Sequence, residues 1–120
     1  MGAFQYKLEY IKNDASQEDE GCFIHIKGTI PVYMNKISKE TYALGNFTHP
    51  WMTGILNVEG VVSAASQAYR VFVEKSPIYQ WSDIIPPLLT FMSNFLSESP
   101  IVELPGSGVR LQSINDRRSR

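Results

Sequence analysis

The chain has 120 residues, of which 43% are hydrophobic, 12% aromatic and 19% charged, and its net charge is -1. This length suits one domain, and the apolar content is sufficient for a core, which excludes a disordered protein. Eleven basic and twelve acidic side chains create no strong field toward phosphate backbones, so nucleic-acid binding is disfavoured. The single cysteine, Cys22, excludes an intramolecular disulfide and a Cys-x-x-Cys site in this chain.

The hydropathy pattern gives no indication of a membrane protein. The first residues lack the basic start and apolar run of a secretory signal, and no segment approaches the roughly 18 apolar residues that span a bilayer. One cysteine in 120 residues suits a reducing compartment. We therefore expect a cytoplasmic protein without membrane contacts.

Strands are predicted at the beginning of the chain. Apolar and polar residues alternate over 4–11, with the period of two that a half-buried strand shows. The acidic stretch 12–21 is typical of an exposed loop. A second strand-like run over 22–34 is interrupted at Gly28 and Pro31, which predicts a bend or two short strands at a sheet edge.

A short helix is predicted in the middle of the chain. Residues 35–48 have mixed polarity and predict irregular structure with at most one helical turn. The helix is expected to begin at Pro50, where a missing N–H is tolerated, with Thr48 or His49 as its cap. Gly60 is expected to end it.

A hairpin and a longer helix are predicted in the second half. Two strand patterns over 61–67 and 69–75 flank a turn. The helix is expected to begin within 84–87, because interior prolines remove hydrogen bonds and clash. Its apolar residues recur at spacings of three and four and form one stripe: Ile85, Leu88, Leu89, Met92, Phe95 and Leu96. A last short strand is predicted over 101–104.

This order of elements predicts the fold class. Pairs of strands alternating with helices, followed by a final strand, indicate an α+β protein with two layers. We expect a mainly antiparallel sheet that two helices cover on one face. The domain is predicted to span 1–105, and 106–120 to form a flexible C-terminal tail.

Four segments together carry a family resemblance. They are "HPWMTGILNVEGV" (49–61), "RVFVEK" (70–75), "WSDIIPPLLTFMSNFL" (81–96) and "SESPIV" (97–102). In their order and spacing they resemble the N-terminal domain of Nfu-type iron–sulfur scaffold proteins, the NifU N-terminal-like family. The Thr-Pro-Asn-Pro-Asn run expected before the second strand of the family is absent.

The resemblance implies an accessory role and no enzyme activity. In full-length Nfu proteins a separate domain with a Cys-x-x-Cys pair assembles the cluster, and this chain has no such pair. The resemblance therefore implies docking to scaffold, carrier or client proteins of iron–sulfur assembly. It implies no resident cofactor in the isolated chain, and it leaves open iron or a cluster bridged between two chains. The oligomeric state stays undetermined.

Residues that could carry chemistry are few. Cys22 could ligate iron together with a second copy of the chain, although a lone strand cysteine is usually a core residue. His25 and His49 are too scattered to complete a zinc site with Cys22. Since Cys22 and His25 are three residues apart on a strand, they should face opposite sides, which disfavours a nucleophilic pair. We expect no catalytic residue, with a thiol- or metal-dependent activity at Cys22 as the alternative.

Five aromatic residues predict either an interaction surface or ordinary core packing. They lie close together in the sequence: Trp51, Tyr69, Phe72, Tyr79 and Trp81. Interfaces are enriched in such side chains. A further alternative is an RNA-binding platform around Phe72, because the strand pattern of 69–75 is faintly similar to an aromatic RNA-recognition strand.

Overall fold

The computed structural model describes residues 2–12, 19–45 and 49–111, and within these ranges the chain forms seven strands and three helices. The strands are β1 (Phe4–Lys12), β2 (Asp19–Ile26), β3 (Met34–Ser38), β4 (Val61–Ser66), β5 (Arg70–Lys75), β6 (Ile101–Glu103) and β7 (Val109–Leu111). The helices are α1 (Lys39–Leu44), α2 (Pro50–Leu56) and α3 (Trp81–Phe95). None of the helices in these ranges is long and apolar enough to cross a membrane.

All the strands belong to one mainly antiparallel sheet. Its order is β3-β4-β5-β2-β1-β6, and β7 also pairs with β1. Only β6 and β7 run parallel to their neighbour β1. The helices and one face of the sheet share a continuous core, so the predicted α+β class and two-layer arrangement are confirmed.

The core follows from the alternation of side chains along the strands. Phe4, Tyr6 and Leu8 are buried on one face of β1, and Cys22 and Ile24 are buried on β2. From the helices, the buried side chains are Trp51, Met52, Ile55 and Leu56 on α2 and Ile84, Ile85, Leu88, Leu89 and Met92 on α3. The predicted first strand, the hairpin of β4 and β5, and the apolar stripe of α3 are therefore confirmed.

The segment predicted to be irregular instead contains β3 and α1. Ser38 begins the helix, because its Oγ accepts a hydrogen bond from the Thr41 N–H at 3.1 Å. Within the described ranges the strand before it, β3, pairs only with β4 and lies at the edge of the sheet. An edge strand needs no regular apolar alternation, which explains why its pattern predicted no structure.

The helix α3 begins at Trp81, and the prediction of a start within 84–87 was wrong. The Asp83 carboxylate accepts a hydrogen bond from the Gln80 N–H at 3.2 Å and caps the first turn. Pro86 and Pro87 lie inside the helix. The carbonyl groups that they leave without an intrahelical partner belong to residues 82 and 83, which are exposed, so water can bind those carbonyls.

The end of α2 and the end of the domain also differ from the predicted boundaries. The helix α2 begins at Pro50 as predicted but ends at Leu56, and Gly60 instead forms the turn into β4 with a φ of 98°. Residues 109–111, which the sequence assigned to the tail, pair with β1 as β7. The rest of the predicted tail, 112–120, and most of the predicted acidic loop, 13–18, lie outside the described residues.

Candidate functional site

One face of the sheet carries no helix in the described part of the chain. Strand register places its side chains in rows across β1, β2 and β5: Lys7 with His25 and Arg70, and Glu9 with Phe23 and Phe72. A third row contains Glu74 of β5 and Ser63 of β4. We call this surface the open face and define it by Lys7, Glu9, Phe23, His25, Arg70, Phe72 and Glu74.

Two phenylalanine rings form the centre of the open face. The ring centroids of Phe23 and Phe72 lie 4.9 Å apart, and both side chains are half-buried. The guanidinium carbon of Arg70 lies 4.0 Å from the centroid of the Phe23 ring, a cation–π contact. Aromatic pairs of this kind stabilise by about 0.5–1.5 kcal/mol beyond the area that they bury. The rings are therefore held in place while one side of the pair stays accessible.

Gly21 provides the space that Phe72 occupies. A Cβ added at Gly21 would lie 2.7 Å from two carbon atoms of the Phe72 ring. A ring that packs over a strand glycine covers backbone that would otherwise be open to water. Because Gly21 has no side chain, the Phe72 ring can pack directly over its backbone.

Polar contacts hold the charged groups on one side of the rings. His25 Nε2 and Glu9 Oε1 lie 2.7 Å apart. The Nε of Arg70 donates a hydrogen bond to Gln67 Oε1 at 2.6 Å. His25 also contacts Phe23, with 5.8 Å between ring centroids, as expected for residues two apart on one strand.

A second set of contacts lies on the other side of the rings. The Glu74 carboxylate accepts a hydrogen bond from Ser63 Oγ at 2.5 Å and forms an ion pair with Lys36 Nζ at 3.1 Å. Half-exposed pairs of this kind contribute little to stability, about 0–1 kcal/mol. Their effect is to fix the direction of the carboxylate on the open face.

Trp51 is a core residue and is not part of any surface, which corrects its place in the predicted interaction surface. Its side chain is completely buried, and its indole Nε1 donates a hydrogen bond to Ser66 Oγ at 3.0 Å. Phe91 and Phe95 of α3 pack against it with ring centroids at 5.9 and 5.0 Å. Pro50 begins α2, and Trp51, the next residue, lies on the face of this helix that is turned to the core.

The other four predicted surface residues do not converge on one site. Phe72 lies on the open face, and Tyr69 is 64% exposed in the turn between β4 and β5. Tyr79 donates a hydrogen bond from its hydroxyl to Glu59, whereas Trp81 packs against Tyr10 at 5.8 Å between centroids. Only Phe72 therefore contributes to the aromatic pair, and its partner Phe23 was not predicted.

Cys22 lies in the core, below the open face. Its side chain is 0% exposed and belongs to the inner row of β2 with Ile24, whereas His25 points to the opposite face. The predicted separation of Cys22 from His25 is thus confirmed. Across the described residues no group of three or more histidine, cysteine, aspartate or glutamate side chains is arranged to hold a metal ion.

A groove of about 550 Å³ with several charged side chains in its wall lies at one end of the sheet, beside the open face. Its walls include Lys39, Glu40, Glu59, Glu74 and Tyr79. Two of these carboxylates are already engaged, Glu59 by the hydroxyl of Tyr79 at 2.9 Å and Glu74 by its ion pair. These two contacts fix the directions of the Glu59 and Glu74 carboxylates along the groove.

Two tyrosines have raised pKa values. Burial raises the pKa of Tyr6 above its ordinary value of 10.0, and the nearby Glu103 carboxylate raises it further. The hydrogen bond to Glu59 raises the pKa of Tyr79 above 10.0, with smaller contributions from desolvation and from the charges of Glu59 and Asp83. Both folded-state environments therefore favour the neutral phenol.

We expect part of the stability of the fold to be lost at alkaline pH through these phenols. In the unfolded chain a tyrosine loses its proton near pH 10, whereas the folded chain retains it, so stability falls as the pH rises. In a Tyr6→Phe variant the free energy of unfolding should decrease less between about pH 8 and about pH 10.5 than in the parent chain. Urea unfolding followed by circular dichroism measures both decreases, and equal decreases would contradict the expectation.

Comparisons with known proteins identify a fold and not a family. No family model matches the chain, and no curated protein matches it. The fold is similar to the crystal structure of protein SAV1430 from Staphylococcus aureus, a structural genomics target, with a TM-score of 0.50 and 17% sequence identity. The match covers 64% of this chain and 89% of the other chain. Together with the open face, this defines a two-layer α+β protein with one sheet surface available for contact.

Proposed function

We propose that this chain is a non-enzymatic protein-interaction module of iron–sulfur assembly, and that it contacts its protein partner through the open face. The observation that carries the proposal is the pair of Phe23 and Phe72, whose centroids are 4.9 Å apart at the centre of a sheet surface that no helix of the described residues covers. Interfaces are anchored by aromatic and arginine side chains at their centre, and Arg70 lies beside the pair.

The link to iron–sulfur assembly rests on the resemblance to the NifU N-terminal-like family. The segments that carry the resemblance coincide with whole elements: 49–61 with α2 and its turn, 70–75 with β5, and 81–96 with α3. The role that follows is accessory. The chain presents a surface to a scaffold, carrier or client protein and performs no step of cluster chemistry itself.

The alternative activity at Cys22 has less support. A ligand to a cluster bridged between two chains must reach the surface of both, and Cys22 is completely buried between the sheet and the helices. For the same reason we assign no catalytic residue to the chain.

Replacing Phe72 with serine should weaken binding to an iron–sulfur scaffold, carrier or client protein by about tenfold or more. The loss of a central aromatic anchor costs more than about 1.4 kcal/mol of binding free energy, which is a factor of ten in affinity. The test immobilises the parent chain, captures proteins from a cell extract, identifies them by mass spectrometry and then measures the affinity of each purified partner.

Leu44→Ser provides the matched control, because Leu44 is 84% exposed on α1 and away from the open face. It should leave the affinity unchanged. Capture of no iron–sulfur protein, or equal losses in the two variants, would overturn the proposal. Circular dichroism of both variants shows whether they remain folded.

RNA binding is an outcome of the same test rather than a second proposal. Bases stack on exposed aromatic rings, and Phe23 and Phe72 are arranged on an open sheet as such a platform. The carboxylates of Glu9 and Glu74 lie on the same face and would repel phosphates. Copurified RNA whose binding weakens with added salt and with Phe72→Ala would replace the proposed protein partner.

A further inference from the structure

The strand β5 presents a self-complementary set of side chains on the open face. Arg70, Phe72 and Glu74 alternate along it and point to the same side. The positive and negative groups thus lie about 6.6 Å to either side of the central ring, at about 3.3 Å per residue. Reversing the direction of this strand exchanges the two charges and leaves the ring in place.

We infer that the open face packs against the open face of a second copy of this chain, about a two-fold axis that crosses the strands at Phe72. This rotation turns the two faces toward each other, reverses the strand direction and places β5 over β5. Arg70 of each copy then faces Glu74 of the other, and Phe72 faces its own counterpart. There Arg70 joins Lys36 and Ser63 as a partner of that carboxylate. A two-fold interface is self-complementary by construction, and this charge pattern satisfies the requirement.

The position of the rings in the sheet favours this arrangement. The strands β5 and β2, which carry Phe72 and Phe23, are the two middle strands of the order β3-β4-β5-β2-β1-β6. Two sheets stack face to face about 10 Å apart, with their strands inclined by about 30°. Contacts near the centre are therefore preserved in spite of the inclination, and the four rings of the two copies form the apolar core of the interface.

Two features make the dimer weak. Glu9 lies in the same row as Phe23 and Phe72, so the rotation brings it toward its own counterpart. The contact area is also small, since four strands and three rows cover about 20 Å by 17 Å, below the roughly 800 Å² per partner of a standard interface. Such a dimer is transient, and the inference rests on the proposed function in which the open face is the contact surface. A client protein would bind by displacing the second copy.

Charge reversal tests the arrangement directly. Arg70→Glu and Glu74→Arg should each weaken self-association by about tenfold or more, because each places like charges opposite one another. An equimolar mixture of the two variants should dimerise, since every facing pair is then of opposite charge. Sedimentation velocity at concentrations up to about 1 mM measures the parent chain, each variant and the mixture.

Glu103→Arg is the control for net charge, because Glu103 is exposed on β6 and, in register with the inward-facing Tyr6, lies on the opposite side of the sheet from the open face. It should leave self-association unchanged. Glu9→Gln should strengthen it by removing the repulsion close to the axis. A parent chain that stays monomeric, or a mixture that associates no better than the separate variants, would overturn the inference.

The outcomes separate this inference from the proposed function. If the mixture does not dimerise while Phe72→Ser still weakens capture of the iron–sulfur protein, the dimer is wrong and the proposed function stands. If the mixture dimerises and Phe72→Ser leaves capture unchanged, the open face binds a second copy and the proposed function fails.

Discussion

Replacing Trp51 with alanine is expected to lower the free energy of unfolding by about 3–5 kcal/mol, the usual range for a fully buried aromatic side chain. Trp51 is completely buried and contacts Phe91 and Phe95 of α3. It also connects α2 to the sheet, because its indole N–H binds Ser66, whose hydroxyl in turn donates to the Val32 carbonyl at 2.7 Å. Thermal or urea unfolding followed by circular dichroism measures the loss.

Ser66→Ala separates the hydrogen bonds from the packing of the ring. The substitution removes the hydroxyl that accepts a hydrogen bond from the Trp51 indole and donates one to the Val32 carbonyl. This loss should lower the free energy of unfolding by about 1–3 kcal/mol. Ser82→Ala is the matched control, because Ser82 is exposed on α3. A loss from Trp51→Ala below about 1 kcal/mol would contradict the core position of the ring.

Gly54→Ala is expected to lower the free energy of unfolding by about 1–3 kcal/mol, although alanine normally favours a helix over glycine. Gly54 lies on α2, next to the side chain of Phe91 on α3. An added Cβ would lie 2.0 Å from Cζ of Phe91, so the ring must move away. That movement shifts the ring relative to Trp51, against which it packs at 5.9 Å between centroids.

The same substitution in a Phe91→Ala background provides the control. Without the ring, Gly54→Ala should be neutral or should raise the free energy of unfolding by up to about 1 kcal/mol, the gain expected from helix propensity. The difference between the two backgrounds is the coupling energy of the pair. If Gly54→Ala stabilises the parent chain as well, the close approach of α2 and α3 is wrong.

Local patterns in the sequence were sufficient to predict the main strands and helices of this fold. The alternation over 4–11, the paired strand patterns around the turn near Gln67, and the apolar stripe of α3 each depend on neighbours a few residues apart. Such periodicities reflect which side of an element faces the core, so they predict both the element and its buried side. The two-layer α+β class followed from the order of these elements alone.

Tertiary structure alone decided the position of each aromatic ring relative to the surface. Trp51 and Phe72 both belong to the predicted interaction surface, yet Trp51 is completely buried against α3 and Phe72 lies on the open face. The pair of Phe23 and Phe72 arises from the register between β2 and β5, which are distant in the chain. Register and burial depend on how all elements pack together, and no short stretch of sequence contains that information.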